Sequence, residues 1–147
     1  MQQAPQKTEF RELCRRHGLA VTHQRAVIYQ SLMSAPGHPS PEEVYAVVCK
    51  QIPSISLATV YKTLHTFVES GVLRELSLHH GSLRVDPVTE PHPHLVCTKC
   101  KAVFDLDEGA LEAPHIIGKI PKGFRVQGIS VELHGVCERC SRSASKQ

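Results

Sequence analysis

The 147-residue sequence lacks long apolar runs, and it has no segment typical of an export signal. Its hydrophobic stretches are only a few residues long, whereas a membrane-spanning helix needs about 20 apolar residues. Residues 1–10 are polar and contain no apolar core of the kind that directs secretion. These absences predict a cytoplasmic protein without a membrane partner.

Signatures of metal-dependent hydrolysis are also missing. A His-Glu-x-x-His helix would place a general base beside an open metal ion, and no such motif occurs. A zinc-dependent hydrolase is therefore an alternative without positive support, and the sequence does not favour an enzyme. A thiol oxidoreductase is a second enzyme alternative, which would require reactive cysteines free of zinc.

Histidine and cysteine, by contrast, are abundant: the chain has 10 His and 6 Cys, with a formal net charge of +3. The charge permits an anionic partner without requiring one. In a reducing compartment, paired cysteines hold metal or perform redox chemistry more often than they form disulfides. The two residue types therefore point to metal binding.

Four of the cysteines form two C-x2-C pairs, Cys97 with Cys100 and Cys137 with Cys140. Each pair presents two thiolates from a tight turn, and two pairs complete the closed tetrahedral sulfur shell that zinc prefers in structural sites. Such a shell leaves no position for a substrate. We therefore predict a structural Zn2+ that ties the C-terminal half together. Cys14 and Cys49 stand alone on predicted helices, and we expect them to be small buried residues.

The N-terminal part of the chain is predicted to contain four helices and a hairpin. Residues 8–71 read as the helices, with Thr8, Thr22, Ser40 and Ser56 as N-caps. Two short strands, 72–78 and 82–86, follow, and His79, His80 and Gly81 form the turn between them. Helices followed by a small hairpin are typical of a winged helix-turn-helix.

The C-terminal part is predicted to be a smaller metal-binding domain. Residues 87–93 carry three prolines and read as a hinge. Beyond them, short strands at 95–96, 102–106 and 124–133 surround a helix near 109–117, and residues 142–147 read as a disordered tail. The predicted fold is α+β, with a winged-helix domain at 1–86 and a small α/β domain at 94–141.

The segment 56–67 is predicted to be a DNA-reading helix. Leu57, Val60, Leu64 and Phe67 recur at helical spacing and are expected to pack inward. The opposite face carries hydroxyls, a cation and an aromatic ring, which suit contacts with phosphates, base edges and thymine methyls. A plain amphipathic surface helix would look similar, but the position before a wing favours DNA reading. The predicted DNA-binding residues are Arg25, Thr59, Tyr61, Lys62 and Thr63.

A second candidate metal site combines histidine and aspartate. His92 and His94 alternate at the hinge, so in an extended segment their imidazoles bind one ion only if the chain bends or a third group fixes them. The candidate co-ligands are His38, Asp86 and Asp105. Three His and two Asp form a nitrogen and oxygen site suited to Fe2+, Mn2+ or Zn2+. Because these residues come from both halves of the chain, metal binding would fix the angle between the DNA-reading winged-helix domains.

These motifs resemble those of the ferric uptake regulator (Fur) family over nearly the whole chain. The matching segments are 21–25, 37–45, 56–64, 84–86 and 92–94, together with the two cysteine pairs. The resemblance implies a homodimeric, metal-dependent transcription regulator, usually a repressor, with dimerisation through residues 94–141. Its expected partner is double-stranded DNA with a palindromic operator.

Within that family the sequence is most similar to the peroxide-responsive PerR branch. Asp86 and Asp105 lie where iron-sensing members more often carry Glu. The resemblance implies Fe2+ or Mn2+ as the regulatory ion, and oxidation of His38 or His92 when peroxide reacts with bound iron. The alternative is a plain iron, manganese or zinc uptake regulator without self-oxidation. One departure is Ala20, where the family commonly has Arg or Lys that reaches DNA.

Overall fold

The computed structural model describes residues 7–76, 83–107 and 109–144. The chain divides into two compact units, Met1–Thr89 and Glu90–Gln147. The boundary falls inside the segment 87–93 for which we predict a hinge. No helix in the described part of the chain is long and apolar enough to cross a bilayer.

Four helices make up most of the first unit: α1 (Lys7–Arg16), α2 (His23–Ser34), α3 (Pro41–Val48) and α4 (Leu57–Glu69). Three of the predicted N-caps are confirmed, because the side chains of Thr22, Ser40 and Ser56 accept from main-chain N–H groups in the first turns of α2, α3 and α4. The fourth is wrong, since α1 already begins before Thr8. Local polar chemistry thus fixes where three of these helices begin.

A core of aromatic and aliphatic side chains holds the four helices together. The ring of Phe10 on α1 lies 5.1 Å from that of Tyr29 on α2 and 6.3 Å from that of Phe67 on α4. Cys14 is fully buried in the same core, as predicted, whereas Cys49 is only partly buried at its edge. The interlocked rings fix α4 against α1 and α2.

A two-stranded antiparallel hairpin follows the helices. It consists of β1 (Arg74–Leu76) and β2 (Arg84–Asp86), with Arg74 opposite Asp86. The predicted turn at His79, His80 and Gly81 lies outside the described residues. Four helices followed by a hairpin reproduce the element order expected of a winged helix.

The second unit is built on a three-stranded sheet: β3 (His94–Cys97), β4 (Val103–Asp105) and β5 (Glu132–Gly135), followed by α5 (Glu138–Ala144). The strand order is β4-β3-β5, with β4 antiparallel and β5 parallel to β3. Residues 142–144 belong to α5, so a disordered tail beginning at 142 is wrong for them. Residues 145–147 lie outside the described chain. The observed fold class is α+β, as predicted.

Two predicted elements of this unit are wrong. The helix near 109–117 does not form, because Pro114 lacks an amide hydrogen and its ring clashes with the preceding helical turn. The strand predicted at 124–133 reduces to Glu132–Gly135, the residues that pair with the short strand β3. Residues 109–130 are exposed in the isolated chain, including Ile117 at 90% and Phe124 at 67%.

Candidate metal centres and reading helix

The first unit contributes His38 and Asp86 to the predicted histidine and aspartate site. His38 lies just before α3, and Asp86 is the last residue of β2. Both are buried, with 5% and 0% of their surface exposed. His38 Nε2 lies 3.9 Å from Asp86 Oδ2. Two atoms that each bind one ion at about 2.1 Å are about 3 to 4 Å apart, so this distance fits two ligands of a shared metal.

Main-chain contacts hold both residues in place. Asp86 Oδ1 accepts a hydrogen bond of 2.8 Å from the amide of Val88. The guanidinium of Arg84 donates to the carbonyl oxygen of His38 over 2.7 Å. The other Asp86 oxygen, Oδ2, faces the imidazole of His38.

The second unit brings His92, His94 and Asp105 together. Asp105 Oδ1 lies 2.9 Å from His92 Nε2 and 3.5 Å from His94 Nε2. His94 on β3 is directly opposite Asp105 on β4. Pro93 separates the two histidines before the strand begins, and their rings lie 4.4 Å apart. A bend and a third group are therefore both present, which is the condition under which alternate histidines can bind one ion.

The second ring nitrogen of His92, Nδ1, is held by a main-chain contact. Its Nδ1 lies 2.9 Å from the carbonyl oxygen of Glu90, which can only accept, so Nδ1 carries the proton. Nε2 is then the ring nitrogen that can bind a metal ion beside Asp105. A metal-binding histidine commonly donates its second N–H to a carbonyl in this way, because the bond fixes both tautomer and ring orientation.

The four predicted zinc cysteines converge at one edge of the sheet. Because β3 and β5 are parallel, Cys97 at the end of β3 lies beside Gly135 at the end of β5, two residues before Cys137. The four sulfur atoms lie within 4.8 Å of one another. Cys100 Sγ and Cys137 Sγ are 3.7 Å apart, close to the edge of about 3.8 Å of a tetrahedron with Zn–S bonds of about 2.3 Å. The cluster fits a structural zinc site.

Main-chain donors prepare this cluster for thiolates. The amides of Cys137 and Cys100 donate to Cys97 Sγ over 3.4 and 3.5 Å. These bonds lower the pKa of Cys97 to about 5. The pKa of Cys140 is raised to about 12, mainly because its thiol is hydrogen-bonded to Cys137. A bound cation would replace that proton, since zinc binds the thiolate form.

The predicted reading helix is α4, and one of its predicted DNA-contacting side chains is buried. Val60, Leu64 and Phe67 are fully buried, as expected. Thr63 is only 8% exposed, because it lies three residues after Val60 and four before Phe67 and so falls on the same buried face. Lys62 is exposed, and Thr59 and Tyr61 are partly exposed. His65, three residues after Lys62, is also exposed on the same face.

Two other predicted DNA-binding side chains have partners within the chain. The hydroxyl of Thr59 lies 2.8 Å from the hydroxyl of Ser56 at the helix cap. Arg25 donates to the carbonyl oxygen of Ala20 over 2.7 Å. Ala20 thus contacts Arg25 through its main-chain oxygen and not through its side chain.

Comparison with known proteins identifies the family of the chain. The model of the ferric uptake regulator family matches residues 16–134. That span includes all nine predicted metal ligands except Cys137 and Cys140. The chain belongs to the ferric uptake regulator family. Members of this family are transcriptional regulators and not enzymes, so the hydrolase and oxidoreductase alternatives are excluded.

Ferric uptake regulator relatives include peroxide and metal regulators. The peroxide operon regulator of Bacillus subtilis is 33% identical over 134 residues, covering 91% of this chain and 92% of that protein. The structure of PerR from Streptococcus pyogenes, described as a basis for peroxide sensing, is 28% identical with a TM-score of 0.51. It covers 95% of this chain and 96% of its own. A zinc-bound manganese uptake regulator is 28% identical with a TM-score of 0.65, covering 86% and 97%.

Proposed function

We propose that the chain is a homodimeric DNA-binding repressor that releases its operator when peroxide oxidises a histidine ligand of bound ferrous iron. The proposed ligands of one regulatory ion are His38, Asp86, His92, His94 and Asp105. Such an ion changes DNA affinity only as far as it binds the two conformations of the protein differently. We place this regulator in the cytoplasm, where its double-stranded DNA target is found.

The observation that carries the proposal is the pair of aspartates. Asp86 lies buried beside His38, and Asp105 lies within 2.9 and 3.5 Å of both other imidazoles. Two short carboxylates and three imidazoles suit Fe2+ or Mn2+ and provide no thiolate that would favour zinc. The likeness to the Bacillus subtilis peroxide operon regulator supports peroxide as the signal.

The residues of the chain carry the sensing step as follows. Bound Fe2+ would activate peroxide for cleavage of its O–O bond. In the net reaction one peroxide oxygen is inserted into a C–H bond of an imidazole ligand, which loses two electrons, and the other oxygen leaves as water. His38 and His92 are the proposed acceptors of that oxygen. An oxidised ring is a poorer ligand, because the atom added beside the coordinating nitrogen withdraws electron density from it. Asp86 and Asp105 then lack the imidazole partners needed to retain the ion.

The cysteine cluster has a separate, structural role in the proposal. Zn2+ bound by Cys97, Cys100, Cys137 and Cys140 ties β3, β5 and α5 together. The folding contribution of such a site is on the order of 10 kcal/mol. Because four sulfur ligands close the coordination shell, this ion does not exchange, whereas the ion of the regulatory site must be able to bind and leave.

Dimerisation and DNA binding divide between the two units. Residues 94–141 form the dimerisation domain, and the exposed apolar side chains of 109–130, such as Ile117 and Phe124, supply surface for a second copy. Residues 1–86 form the winged-helix domain, and 87–93 form the hinge. The paired α4 helices then read two half-sites of a palindromic operator, with Lys62, Tyr61, Thr59 and Arg25 as the contacts.

The second candidate is a plain metal-uptake regulator with the same ligands and no self-oxidation. The likeness to a zinc-bound manganese uptake regulator, at a TM-score of 0.65, favours it. Such a protein would report the concentration of an ion, and peroxide would leave its histidines intact. The two candidates therefore differ in one measurable product.

Mass spectrometry of the oxidised protein separates them. Zinc-containing protein is loaded anaerobically with Fe2+ or Mn2+, treated with peroxide and digested. We expect one added oxygen on the peptide of His38 or His92 with Fe2+ and none with Mn2+. Unmodified histidines in both samples would refute the peroxide mechanism, and metal affinities would then identify the ion that is sensed.

A further inference from the structure

The side chain of Arg84 has no role in the mechanism above, yet it is only 7% exposed. Its Nη1 donates to the carbonyl oxygen of His38 over 2.7 Å and to Glu43 Oε2 over 3.0 Å. Among the described residues, its buried Nε has no hydrogen-bond partner. A buried guanidinium contributes little net folding free energy, because lost hydration offsets the attraction of its partners. Its burial calls for another explanation.

We propose that Arg84, together with Glu43, is the positioning residue that holds His38 at metal-binding distance from Asp86. This inference rests on the proposed regulatory site. Alternate residues of a strand project from the same face, so the side chains of Arg84 and Asp86 leave the same face of β2. That face contacts His38 twice: Arg84 binds its main-chain oxygen, and Asp86 faces its imidazole.

Glu43 connects this contact to the beginning of α3. Its Oε2 accepts from the amide of Ser40 over 2.7 Å as well as from Arg84, and its own amide donates to Ser40 Oγ. The capping box of α3 and the arginine therefore share one carboxylate oxygen. Pro39 lies between His38 and Ser40, and its ring fixes the φ angle of the main chain there. The main chain that carries the His38 ring is thus fixed from both sides.

Electrostatics alone would give the opposite expectation. A guanidinium near a divalent cation repels it, so removing Arg84 would strengthen metal binding if charge dominated. Glu43, with 62% of its side chain exposed, compensates that charge. Positioning predicts weaker binding instead. Loss of a group that orients a metal ligand typically lowers metal affinity by about 10- to 100-fold.

The test measures Mn2+ affinity of the zinc-containing full-length dimer, from the electron paramagnetic resonance signal of free Mn2+. We expect Arg84→Ala to lower the affinity by about 10- to 100-fold. Glu43→Gln should lower it less, because the amide oxygen still accepts one hydrogen bond. Arg15→Ala is the matched control: it removes the same charge from the same unit, from an exposed pair with Glu12, and should leave the affinity unchanged.

Chemical rescue separates positioning from general stability. Guanidinium ion, added well below unfolding concentrations, should restore much of the Mn2+ affinity of Arg84→Ala, because it fits the space left by the side chain. It should not rescue His38→Ala, which removes the ligand itself. An unchanged or higher affinity in Arg84→Ala, or no rescue in a variant with wild-type circular dichroism, would overturn the inference.

The variant His38→Ala distinguishes failure of the positioning role from failure of the proposed regulatory site. If His38→Ala abolishes Mn2+ binding while Arg84→Ala binds as the wild type does, the regulatory site stands and the positioning role falls. If His38→Ala itself binds Mn2+ normally, the proposed site is wrong, and the inference falls with it.

Discussion

The hydroxyl of Tyr61 on α4 donates to Glu42 on α3 over 2.6 Å, so the proposed reading helix is held by the helix that precedes it. The bond lowers the pKa of the Glu42 carboxyl and raises that of the Tyr61 phenol. Tyr61 therefore lies on the proposed DNA-facing surface with its hydroxyl already hydrogen-bonded. Any contact it makes with bases would come from the ring, which suits thymine methyl groups.

The first prediction concerns the pH dependence of this bond. Because the folded-state pKa of Glu42 is depressed, its contribution to stability is present above the unfolded-state pKa and is lost as pH falls through the folded value. Tyr61→Phe should therefore destabilise the protein at neutral pH, by less than about 1 kcal/mol because the pair is exposed to solvent. The difference should vanish in acid. Urea unfolding of both proteins across this range measures it.

Carboxyl nuclear magnetic resonance provides the direct readout of this pair. In Tyr61→Phe the pKa of Glu42 should rise toward its usual value. Tyr45→Phe is the control, since it removes a hydroxyl from α3 itself and should leave Glu42 as it is. An unchanged Glu42 titration in Tyr61→Phe would contradict the assignment of the shift to this hydrogen bond.

The second prediction separates two neighbours on α4. Lys62 is exposed and Thr63 is buried, although both are polar and both were predicted to contact DNA. Lys62→Ala should weaken binding to all duplexes and reduce the slope of log affinity against log salt concentration by about 1. Thr63→Val, which keeps the shape of the side chain, should bind DNA like the wild type. Fluorescence anisotropy over a salt series measures both.

A contrary result would change the placement of α4. If Thr63→Val weakened operator binding at unchanged folding stability, Thr63 would have to face the groove. If Lys62→Ala kept the wild-type salt dependence, the exposed face of α4 would not be the one that meets the phosphates.

The third prediction concerns Asp105, which lies within 2.9 Å of His92 Nε2 and 3.5 Å of His94 Nε2. Asp105→Glu adds one methylene and displaces the carboxylate from this position while keeping its charge. Mn2+-dependent DNA binding should persist. Oxidation of the His92 peptide by peroxide in the Fe2+-loaded protein should fall by about tenfold or more, because a displacement of about 1 Å in a reacting group can cost about 100-fold in rate.

Mn2+-dependent DNA binding serves as the internal control of this experiment. Its loss in Asp105→Glu would show that the longer side chain prevents metal binding altogether. Equal peptide oxidation in the variant and the wild type would remove the reason for assigning the chain to the peroxide-responsive branch.

Sequence reasoning worked where local chemistry decides the structure. The N-caps Thr22, Ser40 and Ser56 each act within one helical turn, and the C-x2-C pairs close their own tight loops. Thr63 could also have been placed correctly, because its spacing from Val60 and Phe67 is helical. Its hydroxyl was given more weight than its position.

Long-range pairing could not be obtained in the same way. The opposition of His94 and Asp105 follows from the register of β3 and β4, and the meeting of the cysteine pairs follows from the parallel pairing of β3 and β5. No periodicity in residues 101–136 shows which strand pairs with which. The apolar residues of 109–130 suggested a helix and a strand, yet they remain exposed in the isolated chain. Their arrangement depends on contacts that a local pattern does not contain.

The last prediction concerns Lys101, which directly follows the zinc-site residue Cys100. Its φ of 62° lies in the left-handed region, where a side chain with a Cβ costs roughly 1–2 kcal/mol and glycine costs little. The amide of Lys101 donates to the carbonyl of Cys97 over 2.9 Å, so the turn around the cysteine pair requires this conformation. Lys101→Gly should therefore stabilise the zinc-loaded protein by about 1 kcal/mol. Lys99→Gly, in the same turn with an ordinary φ, should be neutral or destabilising. Guanidine unfolding at saturating zinc compares the two variants, and equal effects would mean that the backbone at Lys101 carries no strain.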